Sequence, residues 1–120
     1  MLQSSANRMK VYICGPISLG GTLSEKEIRA NLRRFQEASL KLRQMGHEVF
    51  DPSYHQPDGD FQASTSVEVW CAYMRLDIKA LVDCNAIYKL SGWQQSPGAQ
   101  LEATIADKLH LLDLTPEDGE

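Results

Sequence analysis

Cysteine is scarce in this 120-residue chain, occurring only as Cys14, Cys71 and Cys84. So few and so scattered, they argue against a disulfide framework, and none has the paired Cys or His spacing of a zinc site. A reducing, cytoplasmic setting is the expectation that follows. Long apolar runs are missing too: none approaches the roughly 18 consecutive residues that signal a bilayer span. The opening Met1-Leu2-Gln3-Ser4-Ser5-Ala6-Asn7 lacks the apolar core of a signal peptide, so residues 1–8 are read as a flexible leader. Nor is positive charge in excess, since 12 Lys and Arg against 16 Asp and Glu give a formal charge of -4. That balance argues against a nucleic-acid polymer or an anionic membrane as partner and leaves small molecules or protein. Also absent are the Gly-x-Gly-x-x-Gly fingerprint of a dinucleotide site and the lysine of a phosphate-binding P-loop. No metal and no cofactor is signalled.

What is present centres on Gly92-Trp93-Gln94-Gln95-Ser96-Pro97-Gly98-Ala99-Gln100-Leu101-Glu102. The run before it, Asn85 to Leu90, reads as a short buried strand. After it Leu101, Ile105 and Leu109 recur at helical spacing and predict an apolar helix face. Ser96 followed by Pro97 is a helix-start signal, because serine accepts from the first free amides and proline has no amide to leave unpaired. Gly98 leaves room for a ligand to approach. A helix N-terminus at the carboxyl edge of an open α/β sheet suits an anion. Glu102, about one turn inside, suits a ligand that also carries an electrophilic carbon.

Taken in order, residues 9–14 predict a first strand running into the corner Gly15-Pro16-Ile17, with Gly20 and Gly21 making a flexible loop. Ser24 and Glu27 have the capping-box spacing. Behind them Ile28, Leu32, Phe35, Leu42 and Met45 trace an apolar face, Arg29, Arg33, Arg34, Lys41 and Arg43 read as a solvated face, and Gly46 ends the helix. A short strand, residues 47–50, closes at Asp51-Pro52. Residues 53–65 read as a long polar loop, with Tyr54, His55 and Phe61 either stacking on a base or incidental to a mobile insertion. Thr65 or Ser66 caps a third stretch over residues 67–82. There Asp77 shares a face with Trp70, Met74 and Leu81. A carboxylate on a packing face needs a partner or a task. Arg75 and Lys79 are the nearby cations, but neighbours two positions away do not face it. Trp70, Tyr73 and Met74 suit a core or an interface equally, as Trp93 suits a stacked base or a core edge. A last apolar run covers residues 109–114, and residues 116–120 form a polar tail. This alternation predicts one domain over residues 9–115, an α/β fold with a small Rossmann-like (flavodoxin-like) parallel sheet of four to five strands flanked by helices.

With Tyr12, the Gly15-Pro16-Ile17 loop, Asp77 and the Gly98-Ala99-Gln100-Leu101-Glu102 turn together, the chain resembles the nucleoside 2-deoxyribosyltransferase superfamily. The likeness runs from about Lys10 to Leu114 and is nearest in motif to the 2′-deoxynucleoside 5′-phosphate N-hydrolases and the small phage and bacterial domains related to them. The resemblance implies that Glu102 attacks C1′ of the sugar, that Tyr12 orients it and that Asp77 assists departure of the base. It also implies substrate contacts at Gly15, Pro16, Ile17, Trp93, Ser96 and Gly98. Ser96, six positions before the glutamate, stands where the nucleotide hydrolases bind a 5′-phosphate. Ser18 and Leu19 stand where those hydrolases carry an arginine. The implied activity is N-glycosidic cleavage of a nucleoside 5′-monophosphate, with ionised Glu102 as nucleophile and protonated Asp77 as acid. Base exchange between nucleosides and a nucleotide-binding or regulatory domain without turnover are the alternatives. A homo-oligomer is implied as well.

Overall fold

The computed structural model describes residues 8–19, 22–54 and 66–117. The expected leader up to Asn7, the Gly20-Gly21 pair, the bulk of the 53–65 loop and the end of the tail lie outside them. The elements in chain order are β1 (Lys10–Cys14), α1 (Glu25–Gln44), β2 (Glu48–Phe50), a 3-10 turn (Pro52–Tyr54), α2 (Ser66–Val82), β3 (Ala86–Lys89), a second 3-10 turn (Trp93–Gln95), α3 (Pro97–Lys108) and β4 (Leu112–Asp113). All strand pairings are parallel and the sheet order is β2-β1-β3-β4. The predicted α/β class therefore holds, with four strands among the described residues. The expected strands are each shorter by one or more residues, the last reduced to two at an exposed edge.

Both faces of the sheet are covered, which explains why its inner strands read as nearly continuous apolar runs. Side chains alternate across the pleat. Val11, Ile13, Ala86, Tyr88 and Leu90 pack with Phe35, Ala38 and Leu42 of α1 on one face. Tyr12, Cys14 and Ile87 pack with Leu81 of α2 and Ala99 and Ala106 of α3 on the other. Each large side chain removed from water contributes about 1.5–3 kcal/mol.

The helix ends follow the local signals. The Ser24 hydroxyl accepts from the Glu27 amide at 3.1 Å, and the Glu27 carboxylate accepts from the Ser24 amide at 2.8 Å. At the other end Gly46 takes φ +98°, and the His47 amide returns to the Leu42 carbonyl. This left-handed cap needs glycine. One expectation for α1 fails: Met45 is 56% exposed, because the helix has already reached its cap there and turns away from the sheet.

In α3 the expected face holds only at Ile105, which packs against the core. Leu101 and Leu109 are 39% and 50% exposed, whereas Ala99, Glu102 and Ala106 are buried. Small alanines let the helix lie close against β1, bringing the Ala99 carbonyl to 3.3 Å from the Cys14 thiol. Leucines on that face would hold it off.

The sheet reverses its winding between β1 and β3, so the loops following these strands flank the crevice where open α/β sheets bind ligands. Gly15 sets the start of the first loop. A Cβ there would lie 2.9 Å from Leu90 Cβ, a clash with a stem atom that cannot swing away. Gly15→Ala is expected to cost about 1–3 kcal/mol, measured as a lowered urea midpoint.

Candidate functional site

The site begins with β1. Tyr12 and Cys14, two apart, share the face toward α2 and α3, and both are fully buried. Facing them, α3 starts as its sequence dictates. The Ser96 hydroxyl accepts from the Ala99 amide at 3.2 Å, and Pro97 occupies the first helical position. Two positions in, a Cβ on Gly98 would lie 3.1 Å from Met74 Sδ and 3.9 Å from Trp70 Nε1, so the missing side chain lets α2 approach. One turn on, Glu102 is 5% exposed and its Oε2 accepts from the Tyr12 hydroxyl at 2.9 Å.

Asp77 comes from α2. Its negative charge acts on both Glu102 and Tyr12. Burial pushes the Asp77 carboxyl up to about 7. Burial first, and then the Asp77 charge, push Glu102 up to about 8, against the lowering effect of the Tyr12 and Cys14 donors. Burial, then Glu102 and Asp77, hold the Tyr12 hydroxyl well above its ordinary value, so it remains a donor. The Cys14 thiol is raised for the same first reason. Neither Arg75 nor Lys79 partners Asp77, whose Oδ1 is buried with no hydrogen bond. A buried polar atom left this way costs on the order of 1–3 kcal/mol.

Two carboxyl groups from different helices that titrate near neutrality have the chemistry to take up and release protons there. The two titrate as a pair. Tyr12→Phe removes the donor that favours ionised Glu102 and is expected to move the Glu102 titration upward, read by carboxyl NMR across pH 5–10 as an upward shift of about half a unit or more.

The remaining expected residues divide. Pro16 lies 3.5 Å from the position a Cβ on Gly92 would take. Both line a cavity of about 240 Å³ at the carboxyl ends of β1 and β3, with Asn31, Arg34, Ser91 and Gln95. Ile17 packs against the α1-face core, and its carbonyl accepts from Asn31 at 3.0 Å. Trp93 covers the edge of the other core, with Lys89 Nζ 4.6 Å from its ring centroid. Neither Glu102 nor Asp77 lines the 240 Å³ cavity.

Three residues were not singled out by the sequence. Cys14 sits beside Glu102, signalled only by its two-residue offset from Tyr12. Arg34, read as part of a solvated face, reaches the Ser91 carbonyl and the Asn31 side chain at the carboxyl edge of the sheet. Asp51, read only as a strand terminator, is buried. Among the described residues no cluster of His, Cys, Asp and Glu is arranged to hold a metal ion, and no helix is long and apolar enough to cross a membrane.

The chain belongs to the family described as Domain of unknown function (DUF4406), which it matches over residues 9–113. No curated protein and no solved structure matches it.

Proposed function

We propose that this domain is an N-glycosidase that cleaves the base–sugar bond of a nucleoside 5′-monophosphate, in keeping with the resemblance to nucleoside 2-deoxyribosyltransferases. One observation carries the reading: the buried Glu102 carboxyl group, held by the Tyr12 hydroxyl, lies within the field of a second, half-buried carboxyl group, Asp77, and the pair shares a proton near neutral pH. In the cleavage step a Glu102 oxygen bonds to C1′ as the C1′–N bond breaks, and the bond's electron pair leaves with the base. The base nitrogen takes its proton from Asp77. Positive charge growing on the sugar favours ionised Glu102, so with substrate bound the shared proton rests on Asp77. Water then attacks C1′, giving its proton to Asp77 and releasing Glu102.

The 5′-phosphate belongs at the start of α3. There the Ser96 hydroxyl, already accepting from Ala99, keeps its own proton to donate, and the helix end supplies positive potential. Arg34 supplies a guanidinium to the neighbouring cavity. Ser96→Ala is expected to raise KM for the monophosphate about tenfold while leaving that for the free nucleoside within about twofold, the loss of roughly one hydrogen bond to a charged group. The exposed Val67 and Trp70 on α2 give a second copy a surface to cover, and sedimentation reads that homo-oligomer directly.

The test is incubation with each ribo- and deoxynucleoside monophosphate, with free base followed by chromatography. Release by the wild type that is lost in Glu102→Ala supports the proposal. No release, or undiminished release by the variant, ends it. A new nucleoside formed only with an added acceptor base assigns transfer instead.

A further inference from the structure

We propose that Asn31 and Arg34 are positioning residues for the nucleotide: together they brace the loop after β1 against the loop after β3, the two loops that flank the crevice. The helix supplies them at the right place. Phe35, Ala38 and Leu42 form the stripe by which α1 packs on the sheet. Asn31 continues that stripe one turn toward the N-terminus, and Arg34, three positions on, shares its side of the helix. A polar side chain suits this end of the stripe, because it meets loop backbone there and not strand side chains.

The hydrogen bonds run as one chain. Asn31 Nδ2 donates to the Ile17 carbonyl at 3.0 Å, Asn31 Oδ1 accepts from Arg34 Nη1 at 3.1 Å, and Arg34 Nη2 donates to the Ser91 carbonyl. Ile17 and Ser91 each lie just past the end of their strand. Two side chains therefore join the two loops. The guanidinium charge polarises the Asn31 amide and strengthens its bond to Ile17, so the halves of the link support one another.

The loop after β3 leads through the second 3-10 turn to Ser96 at the start of α3, so what fixes Ser91 also fixes the phosphate end of the crevice. Tyr12 faces α2 and α3 across the sheet and holds Glu102 by its own hydrogen bond. The brace thus acts on binding and not on the carboxyl groups. It rests on the glycosidase reading for its kinetics but not for its structure.

Amide hydrogen exchange of the free chain reads the structural part. Asn31→Ala removes the centre of the link. The Thr22 and Leu23 amides, bonded to the Ser18 carbonyl, and the Trp93 and Gln95 amides, bonded to the Leu90 and Gly92 carbonyls, are all expected to exchange about tenfold faster, the loss of roughly one hydrogen bond. Unchanged exchange, or a rise at Thr22 and Leu23 alone, would overturn the brace. In the base-release assay Asn31→Ala and Arg34→Lys are each expected to raise KM about tenfold, with kcat within about twofold and the Glu102 titration unmoved. Lysine keeps the charge but loses the fork that serves two acceptors. An unchanged KM in Arg34→Lys, or a shifted Glu102 titration in either variant, would overturn the assignment. Should one variant fail to fold, the kinetics of the other decide. If the wild type releases no base, the glycosidase reading falls and the exchange data still decide the brace.

Discussion

Glu102→Gln is expected to reduce base release from a nucleoside monophosphate by at least about 10³-fold, with little change in substrate affinity. The amide keeps an oxygen for the Tyr12 hydroxyl, so the local packing survives, but it is no nucleophile and cannot balance charge on the sugar. A loss of that size corresponds to about 4 kcal/mol of transition-state stabilisation. Asp77→Asn removes the proton donor instead, and general acid catalysis is worth roughly 10²–10⁴-fold. Its deficit should shrink with a substrate whose base departs without protonation, whereas that of Glu102→Gln should not. Single-turnover release measured with natural and activated substrates separates the two roles. Equal response of both variants to the leaving group would contradict the assignment.

The same carboxyl groups should make the protein less stable as pH rises. A carboxyl whose folded pKa is raised binds its proton more tightly when folded, so the folded chain carries more protons than the unfolded one and stability falls with pH. The window opens near the ordinary values of 3.8 for Asp77 and 4.5 for Glu102 and closes above their folded values of about 7 and about 8. Below it both groups are protonated in either state and the penalty is absent. Above it the folded chain carries two desolvated, mutually repelling charges. Glu102→Gln removes one of them and is expected to be more stable than the wild type by roughly 1–3 kcal/mol at pH 9, with no advantage at pH 4. Urea denaturation at both pH values checks this, and the difference between the chains isolates Glu102 from surface groups such as Glu27 and Asp113, whose lowered values act in the opposite sense. Such a gain at the expense of activity is the usual sign of a functional site.

Glu102 and Asp77 were legible in the sequence because each breaks a local pattern: a carboxylate follows a Ser-Pro-Gly helix start, and another interrupts an apolar face. Capping gave α1 and α3 their starts, since Ser24 and Ser96 act through backbone groups only a few residues away. The buried side of α3 was legible only in part. The spacing of Leu101, Ile105 and Leu109 found Ile105, but the contact with β1 demands small residues, and Ala99 and Ala106 carry no size signal. The approach of α2 to Gly98 was hidden for the same reason, because what meets it, Met74, is distant in sequence. Arg34 and Asp51 gain their places only when α1 is laid on the sheet, and no local period announces that.

The account rests on two acids sensing one another behind Tyr12. Carboxyl-carbon NMR titration of Glu102 and Asp77, repeated in Asp77→Asn, measures this most directly. Both groups are predicted to titrate well above their ordinary values, with Glu102 moving down when the Asp77 charge is removed. A Glu102 that titrates near 4.5 and ignores the substitution would contradict it.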